Sequence, residues 1–157
     1  GLEYPPDRGR MERTLDRSAM MPTPFHLAVN VTDLDEARAF YGGLLGCAEG
    51  RSTETWVDFD FFGHQLSLHL GPPFATADSG RVGDHKVAMP HFGVVLAHDD
   101  WRALADRLAA AGTEWVIAPT VRFAGEPGEQ WTMFFRDPSG NPLEVKGFRD
   151  MSQVFSA

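Results

Sequence analysis

A short pattern occurs twice along this chain, and the duplication constrains the fold more than any other feature. The first copy reads Phe25-His26-Leu27-Ala28-Val29-Asn30-Val31, followed by an acidic turn and a helix-like run. The second reads Pro90-His91-Phe92-Gly93-Val94-Val95-Leu96, again followed by an acidic turn and a helix-like run. Repeated units of this kind bury together what neither can bury alone. Alternation puts Phe25, Leu27, Val29 and Val31 on one strand face and His26, Ala28 and Asn30 on the other. In the second copy Phe92, Val94 and Leu96 oppose His91, Gly93 and Val95.

The flanking signals extend each copy. Asp33 or Asp35 is expected to cap a helix through Ala37, Phe40, Tyr41, Leu44 and Leu45, stopped by Gly46. Asp99 or Asp100 is expected to cap its counterpart through Trp101, Leu104, Leu108 and Ala111, stopped by Gly112. Strands are expected over 55–62 and 65–70, then over 114–118, 120–123, 130–136 and 142–148, with the Asp137–Asn141 turn joining the last two. Residues 51–53, 71–84 and 125–129 read as loops. Each copy is therefore β-α followed by two or three strands, an α+β design. The helix covers the Phe/Leu/Val face, and small residues beside the histidines (Ala28, Gly93) leave room for a cavity between two adjacent sheets.

The copies also align at their ends, where Gly63-His64-Gln65-Leu66-Ser67 matches Gly140-Asn141-Pro142-Leu143-Glu144. If Leu143 and Val145 face the helix, Glu144 faces the cavity. By the same parity Leu66, Leu68 and Leu70 face the helix, and Ser67 and His69 face the cavity. An ionised Glu on a central strand is costly unless it is paired or bound to a metal. Parity and repeat symmetry thus converge His26, His91 and Glu144 as a metal triad. Two imidazoles and one carboxylate on one side of a divalent ion leave up to three positions open. Imidazole suits iron, zinc, copper or nickel, and the carboxylate tolerates manganese.

These segments resemble the vicinal oxygen chelate superfamily, which holds glyoxalase I, extradiol dioxygenases, fosfomycin-resistance transferases and bleomycin-binding proteins. The resemblance is carried by Phe25-His26-Leu27-Ala28-Val29 with Asp33-Leu34-Asp35-Glu36-Ala37-Arg38-Ala39-Phe40-Tyr41, by His91-Phe92-Gly93-Val94, and by Phe134-Phe135-Arg136-Asp137-Pro138-Ser139-Gly140-Asn141-Pro142-Leu143-Glu144. It covers about residues 23–150. More narrowly, Glu54-Thr55-Trp56-Val57-Asp58-Phe59 with Phe62-Gly63-His64-Gln65, and Val121-Arg122-Phe123 with Pro127-Gly128-Glu129-Gln130, resemble a subgroup described as predicted extradiol-type dioxygenases. The resemblance implies two paired βαβββ modules forming a curved sheet around a central cavity, with His26, His91 and Glu144 as ligands. It also implies a homodimer, with the site inside one chain or shared across two. Metal-dependent glyoxalase I usually carries a glutamate ligand where Ser67 stands here, a departure that favours a three-ligand site.

The expected organisation is a flexible tail over 1–22, one domain over 23–150 (module one about 23–72, module two about 88–150) and a C-terminal tail over 151–157. The formal net charge of −8 argues against nucleic acid or an anionic membrane as partner. No apolar run approaches the roughly 18 residues of a membrane span. Cys47 is the single cysteine, which excludes an internal disulfide and fits a reducing, cytoplasmic setting. It reads as a packing residue. His85 and His98 sit in polar stretches and read as surface residues; His64 reads as a turn residue.

The leading expectation is a metal-dependent, extradiol-type dioxygenase that chelates a small substrate through vicinal oxygens. Iron(II) is the favoured metal, with zinc, manganese or nickel as alternatives. His69 is the candidate proton handler, with substrate binding or replacement of the missing ligand as its alternatives, and Ser67 and Arg122 are candidate substrate contacts. The alternatives are a small-molecule binding or resistance protein, and a redox-neutral glyoxalase-like lyase or isomerase.

Overall fold

The computed structural model describes residues 23–157, so the tail expected over 1–22 lies outside the described residues. Module one comprises β1 (His26–Val31), α1, β2 (Ala48–Ser52), β3 (Trp56–Phe61) and β4 (His64–Leu70). Helix α1 starts with α-helical spacing over Leu34–Ala37 and continues with π-helical spacing over Arg38–Leu44. A hairpin of β5 (Ala77–Val82) and β6 (His85–Met89) leads to module two: β7 (Val95–Ala97), α2 (His98–Ala110), β8 (Trp115–Arg122), β9 (Gln130–Arg136) and β10 (Pro142–Phe148). The two main sheets have the same order, β1-β4-β3-β2 and β7-β10-β9-β8. In each, the first strand pairs parallel to the last and the other pairs are antiparallel. This is the expected α+β pair of βαβββ modules. No helix among the described residues is long and apolar enough to cross a membrane.

Local differences from the sequence reading have identifiable causes. Strand β2 is exposed along its whole length and carries a register shift between Glu49 and Ser52, so it lacks the alternation that marks a half-buried strand. Part of the expected 71–84 loop is strand β5, a polar segment that pairs with β6. The two runs expected on either side of Pro119 are one strand, β8, with register shifts between Trp115 and Ile117 and between Ile117 and Thr120. Asp33 caps α1, its carboxylate accepting from the Glu36 N–H at 2.9 Å. Neither Asp99 nor Asp100 caps α2, which starts at His98; both lie in its first turn, where they complement the helix dipole.

One apolar core joins the modules on their helix-bearing faces. Tyr41, Leu66 and Leu68 from module one share it with Trp101, Leu108, Met133, Phe135 and Leu143 from module two. Phe40 of α1 meets Phe135 of β9, with ring centroids 6.2 Å apart. A polar clasp closes the same seam. The Asp137 carboxylate accepts from the Tyr41 hydroxyl at 2.8 Å, the Asn141 amide at 2.9 Å, and the Ser139 and Asn141 N–H groups at 2.9 and 2.8 Å. The Asn141 amide also donates to the Asn30 carbonyl at 2.9 Å, and Thr32 N–H donates to the Ser139 hydroxyl at 2.9 Å. Burial, and then the adjacent Asp137 charge, push the Tyr41 hydroxyl pKa well above its ordinary value.

The histidine-bearing faces lie on the other side of the sheets. His26 and Ala28 are exposed on β1. On module two the β5–β6 hairpin covers part of this face, where Val82 and Val87 pack against Ile117 and Phe134. A Cβ on Gly93 would lie 1.5 Å from the Glu144 carbonyl oxygen, so this position is held to glycine by the close approach of the two strands.

Candidate functional site

The module-two half of the site is built by a short parallel ladder ahead of β7. Phe92 N–H donates to the Pro142 carbonyl at 3.3 Å, and Glu144 N–H donates to the Phe92 carbonyl at 2.9 Å. This register sets His91 beside Glu144, with Nε2 3.9 Å from Oε1. His91 Nδ1 lies 2.8 Å from the Ala88 carbonyl oxygen. A carbonyl only accepts, so Nδ1 carries the hydrogen and Nε2 presents a lone pair. The ring also meets Phe134 edge-on, with centroids 5.0 Å apart.

Glu144 is 7% exposed. Its Oε2 accepts from the Thr132 hydroxyl at 3.1 Å, and its Oε1 lies 3.7 Å from Lys146 Nζ. The 3.9 Å gap between Nε2 and Oε1 is too long for a hydrogen bond. It is shorter than the roughly 4.2 Å sum of a metal–nitrogen and a metal–oxygen bond. One divalent ion could therefore touch both atoms, and the donor set fits iron, zinc, manganese or nickel.

The module-one half is a side-chain network on β1, β3 and β4. His26 Nδ1 lies 2.8 Å from Gln65 Oε1, Gln65 Nε2 donates to Asp58 Oδ2 at 3.4 Å, and the Ser67 hydroxyl donates to Asp58 Oδ1 at 2.6 Å. His69 is exposed further along β4, with its ring stacked on Trp56 at 6.2 Å. A cavity of about 660 Å³ beside this network is lined by residues including Trp56, Asp58, Asp60, His64 and Gln65. A smaller one of about 220 Å³ opens at His91, Glu144 and Lys146.

The chain thus brings His91 and Glu144 together and keeps His26 in the other half. Among the described residues no three His, Cys, Asp or Glu side chains are grouped to hold a metal. Ser67 is buried and engaged by Asp58. Arg122 pairs with Gln130 and lies over the Phe123 ring at 5.0 Å, on the far edge strand of its sheet.

Asp58, Gln65 and Lys146 escaped the sequence reading. The usable signal was parity, since Gln65 and Lys146 share a face with Ser67 and Glu144, and Asp58 is the cross-strand partner of Ser67. His64 accepts the Phe25 N–H on Nδ1 at 2.9 Å and fixes the start of β1. His98 is not a surface residue. Its side chain is 13% exposed, its ring centroid is 4.9 Å from that of Trp131, and neither ring nitrogen has a hydrogen-bond partner among the described residues. Cys47 is buried, and burial pushes its thiol pKa up to about 11.

A family model described as the Glyoxalase/Bleomycin resistance protein/Dioxygenase superfamily matches residues 23–145. A solved glyoxalase/bleomycin resistance protein/dioxygenase from Alicyclobacillus acidocaldarius is 32% identical with a TM-score of 0.66, over 85% of this chain and 96% of that one. Lactoylglutathione lyase from Agrobacterium tumefaciens is 19% identical with a TM-score of 0.59, over 87% of this chain and 98% of that one. A genomically encoded fosfomycin resistance protein from Listeria monocytogenes is 16% identical with a TM-score of 0.56, over 85% of this chain and 98% of that one. The last two likenesses concern the fold.

Proposed function

The chain belongs to the glyoxalase/bleomycin resistance protein/dioxygenase superfamily, and from that premise we propose a metal-dependent enzyme that takes a small substrate through two adjacent oxygens. The observation that carries this reading is the facing pair His91 Nε2 and Glu144 Oε1, 3.9 Å apart, with the remote atom of each already hydrogen-bonded. His26 of a second copy supplies the third ligand in a cytoplasmic homodimer. Two features support that assignment: His26 is exposed, and β1 and β7 are both edge strands.

Each residue has a defined task. His91, Glu144 and the second copy's His26 would hold the ion on one side and leave the other open to substrate. When bound, the metal supplies Lewis acidity that lowers the pKa of a substrate hydroxyl, and iron(II) adds oxygen activation. Thr132 and Lys146 orient the Glu144 carboxylate. The Lys146 ammonium also attracts an anionic substrate oxygen. Phe134 gives the site an apolar wall beside His91. His69 and Ser67 lie on the His26 face, where His69 takes up or returns the substrate proton. An extradiol-type dioxygenase acting on a catechol with iron(II) is the specific activity proposed.

Elemental analysis of tag-free protein tests the centre, with stoichiometric divalent metal expected in the wild type. His91→Ala and Glu144→Ala should each lose it; unchanged metal in both variants refutes the triad. Oxygen uptake with catechols and iron(II) tests the reaction, and turnover that proceeds equally under nitrogen assigns a redox-neutral lyase or isomerase instead.

The Lys146–Glu144 contact at 3.7 Å favours a second reading, a metal-free binding protein in which lysine alone balances the carboxylate. Ligand binding undiminished by a chelator would select it.

A further inference from the structure

The two ligand histidines are held by different kinds of partner. His91 Nδ1 faces a backbone carbonyl, which can only accept. His26 Nδ1 faces Gln65, whose amide can present oxygen or nitrogen. Asp58 removes that freedom. Its carboxylate has no hydrogen to give, so the Gln65 amide nitrogen must face Asp58 Oδ2, at 3.4 Å, and the amide oxygen must face His26, at 2.8 Å. The Ser67 hydroxyl pins the other carboxylate oxygen at 2.6 Å. His64, next to Gln65, shows the opposite state: its Nδ1 accepts the Phe25 N–H, so its hydrogen sits on Nε2.

We infer that Asp58 and Gln65 are positioning residues that hold His26 in the Nδ1–H tautomer and so turn an unprotonated Nε2 toward the site. The inference deepens the function proposed above and rests on His26 being a ligand. It explains why this face keeps an acidic residue and a serine where module two carries the ligand Glu144. Ser67 does not fill the missing ligand position; it secures the relay that prepares His26.

The test reads the tautomer directly, by nitrogen-resolved NMR of labelled histidines in metal-free protein at a pH where the imidazoles are neutral. Wild type should show His26 and His91 in the Nδ1–H form and His64 in the Nε2–H form. Gln65→Leu should move His26 to the Nε2–H form that a free imidazole prefers. Asp58→Asn lets the amide turn over and should give both forms. Metal affinity should fall about 10- to 100-fold in each variant, as for other outer partners of ligating histidines.

The double variant Asp58→Asn/Gln65→Glu reverses the relay's polarity. The new carboxylate at position 65 accepts from His26, the new amide at 58 donates to it, and the Nδ1–H form should return. Unchanged His64 and His91 signals report an intact fold, and any one folded variant suffices for the test. His26 remaining in the Nδ1–H form in the single variants would overturn the relay. Metal binding undiminished in His26→Ala would instead remove the ligand assignment and leave the relay standing.

Discussion

Module one and module two share strand order and pairing, yet the faces that carry their histidines are built from different materials. Matched positions hold Ser67 against Glu144, His69 against Lys146, Gln65 against Pro142 and Ala28 against Gly93. In module two, backbone carbonyls position the His91 ring and the Glu144 main chain, and Thr132 and Lys146 meet the carboxylate. The Ala88 carbonyl holds His91, the Phe92 carbonyl holds the Glu144 N–H, and the Glu144 carboxylate is buried beside the Lys146 ammonium. In module one, side chains do it, through His26, Gln65, Asp58 and Ser67 on a face that includes exposed positions. A duplicated scaffold supplies two equivalent sheet faces. The difference leaves one face with a buried His91–Glu144 pair and the other with an exposed imidazole, His26, held by a side-chain network.

The contrast breaks most sharply at Gly93 and Ala28. Gly93→Ala places a methyl group 1.5 Å from the Glu144 carbonyl oxygen, so the ladder between the His91 segment and β10 must separate. A destabilisation of about 4 kcal/mol or more is expected in denaturant unfolding, in the range reserved for broken packing. Ala28→Ser, at the matched exposed position, should change stability by less than about 0.5 kcal/mol. Equal effects at the two positions would show that the histidine strands are supported in the same way.

Alternation made the sheets legible before the structure. Leu66, Leu68, Leu143 and Val145 are buried, so the opposite parity of Ser67 and Glu144 followed. Parity names a face, however, not a neighbour. It put His26, His91 and Glu144 on like faces and carried no information on whether one chain joins them. Strand β2 was hidden because all its residues are exposed, and β5 because its polar residues are held by pairing with β6. His98 read as a surface residue beside Asp99 and Asp100, but its burial is set by Trp131, far away in sequence. Asp58 and Gln65 are ordinary surface types that meet only through cross-strand register.

The next comparison is between the site and the seam. The Asp-Pro-Ser-Gly-Asn turn that carries the family likeness serves the seam: Asp137 and Asn141 bind Tyr41 and Asn30 of the other module. Tyr41→Phe should therefore cost about 1–3 kcal/mol, because it strips a partner from a buried carboxylate, while the metal content per folded protein stays unchanged. The Tyr41 hydroxyl adds a pH signature. An unfolded chain ionises it near 10.0, whereas the folded protein resists ionisation to higher pH. Its contribution is complete below that value and declines as pH rises above it. The wild type should lose stability on the alkaline side more steeply than Tyr41→Phe, and parallel curves would place the hydroxyl outside the seam.

The smallest expected effect separates the two functional readings at the matched pair Lys146 and His69. Lys146 is half-exposed, so its contact with Glu144 is screened, and Lys146→Met in metal-loaded protein should alter stability by about 1 kcal/mol or less. Removing a positive charge 3.7 Å from Oε1 should also tighten divalent-metal binding, because lysine and metal compete for the same carboxylate. In a metal-free binding protein the same change should cost a similarly screened amount of about 1 kcal/mol, and added metal should alter neither stability nor ligand affinity. His69→Phe keeps an aromatic ring on Trp56 and touches neither Glu144 nor His91, so it should leave metal affinity and stability unchanged while slowing turnover. If Lys146→Met carries the turnover defect and His69→Phe does not, the proton handler belongs to module two, and module one supplies only the imidazole of His26.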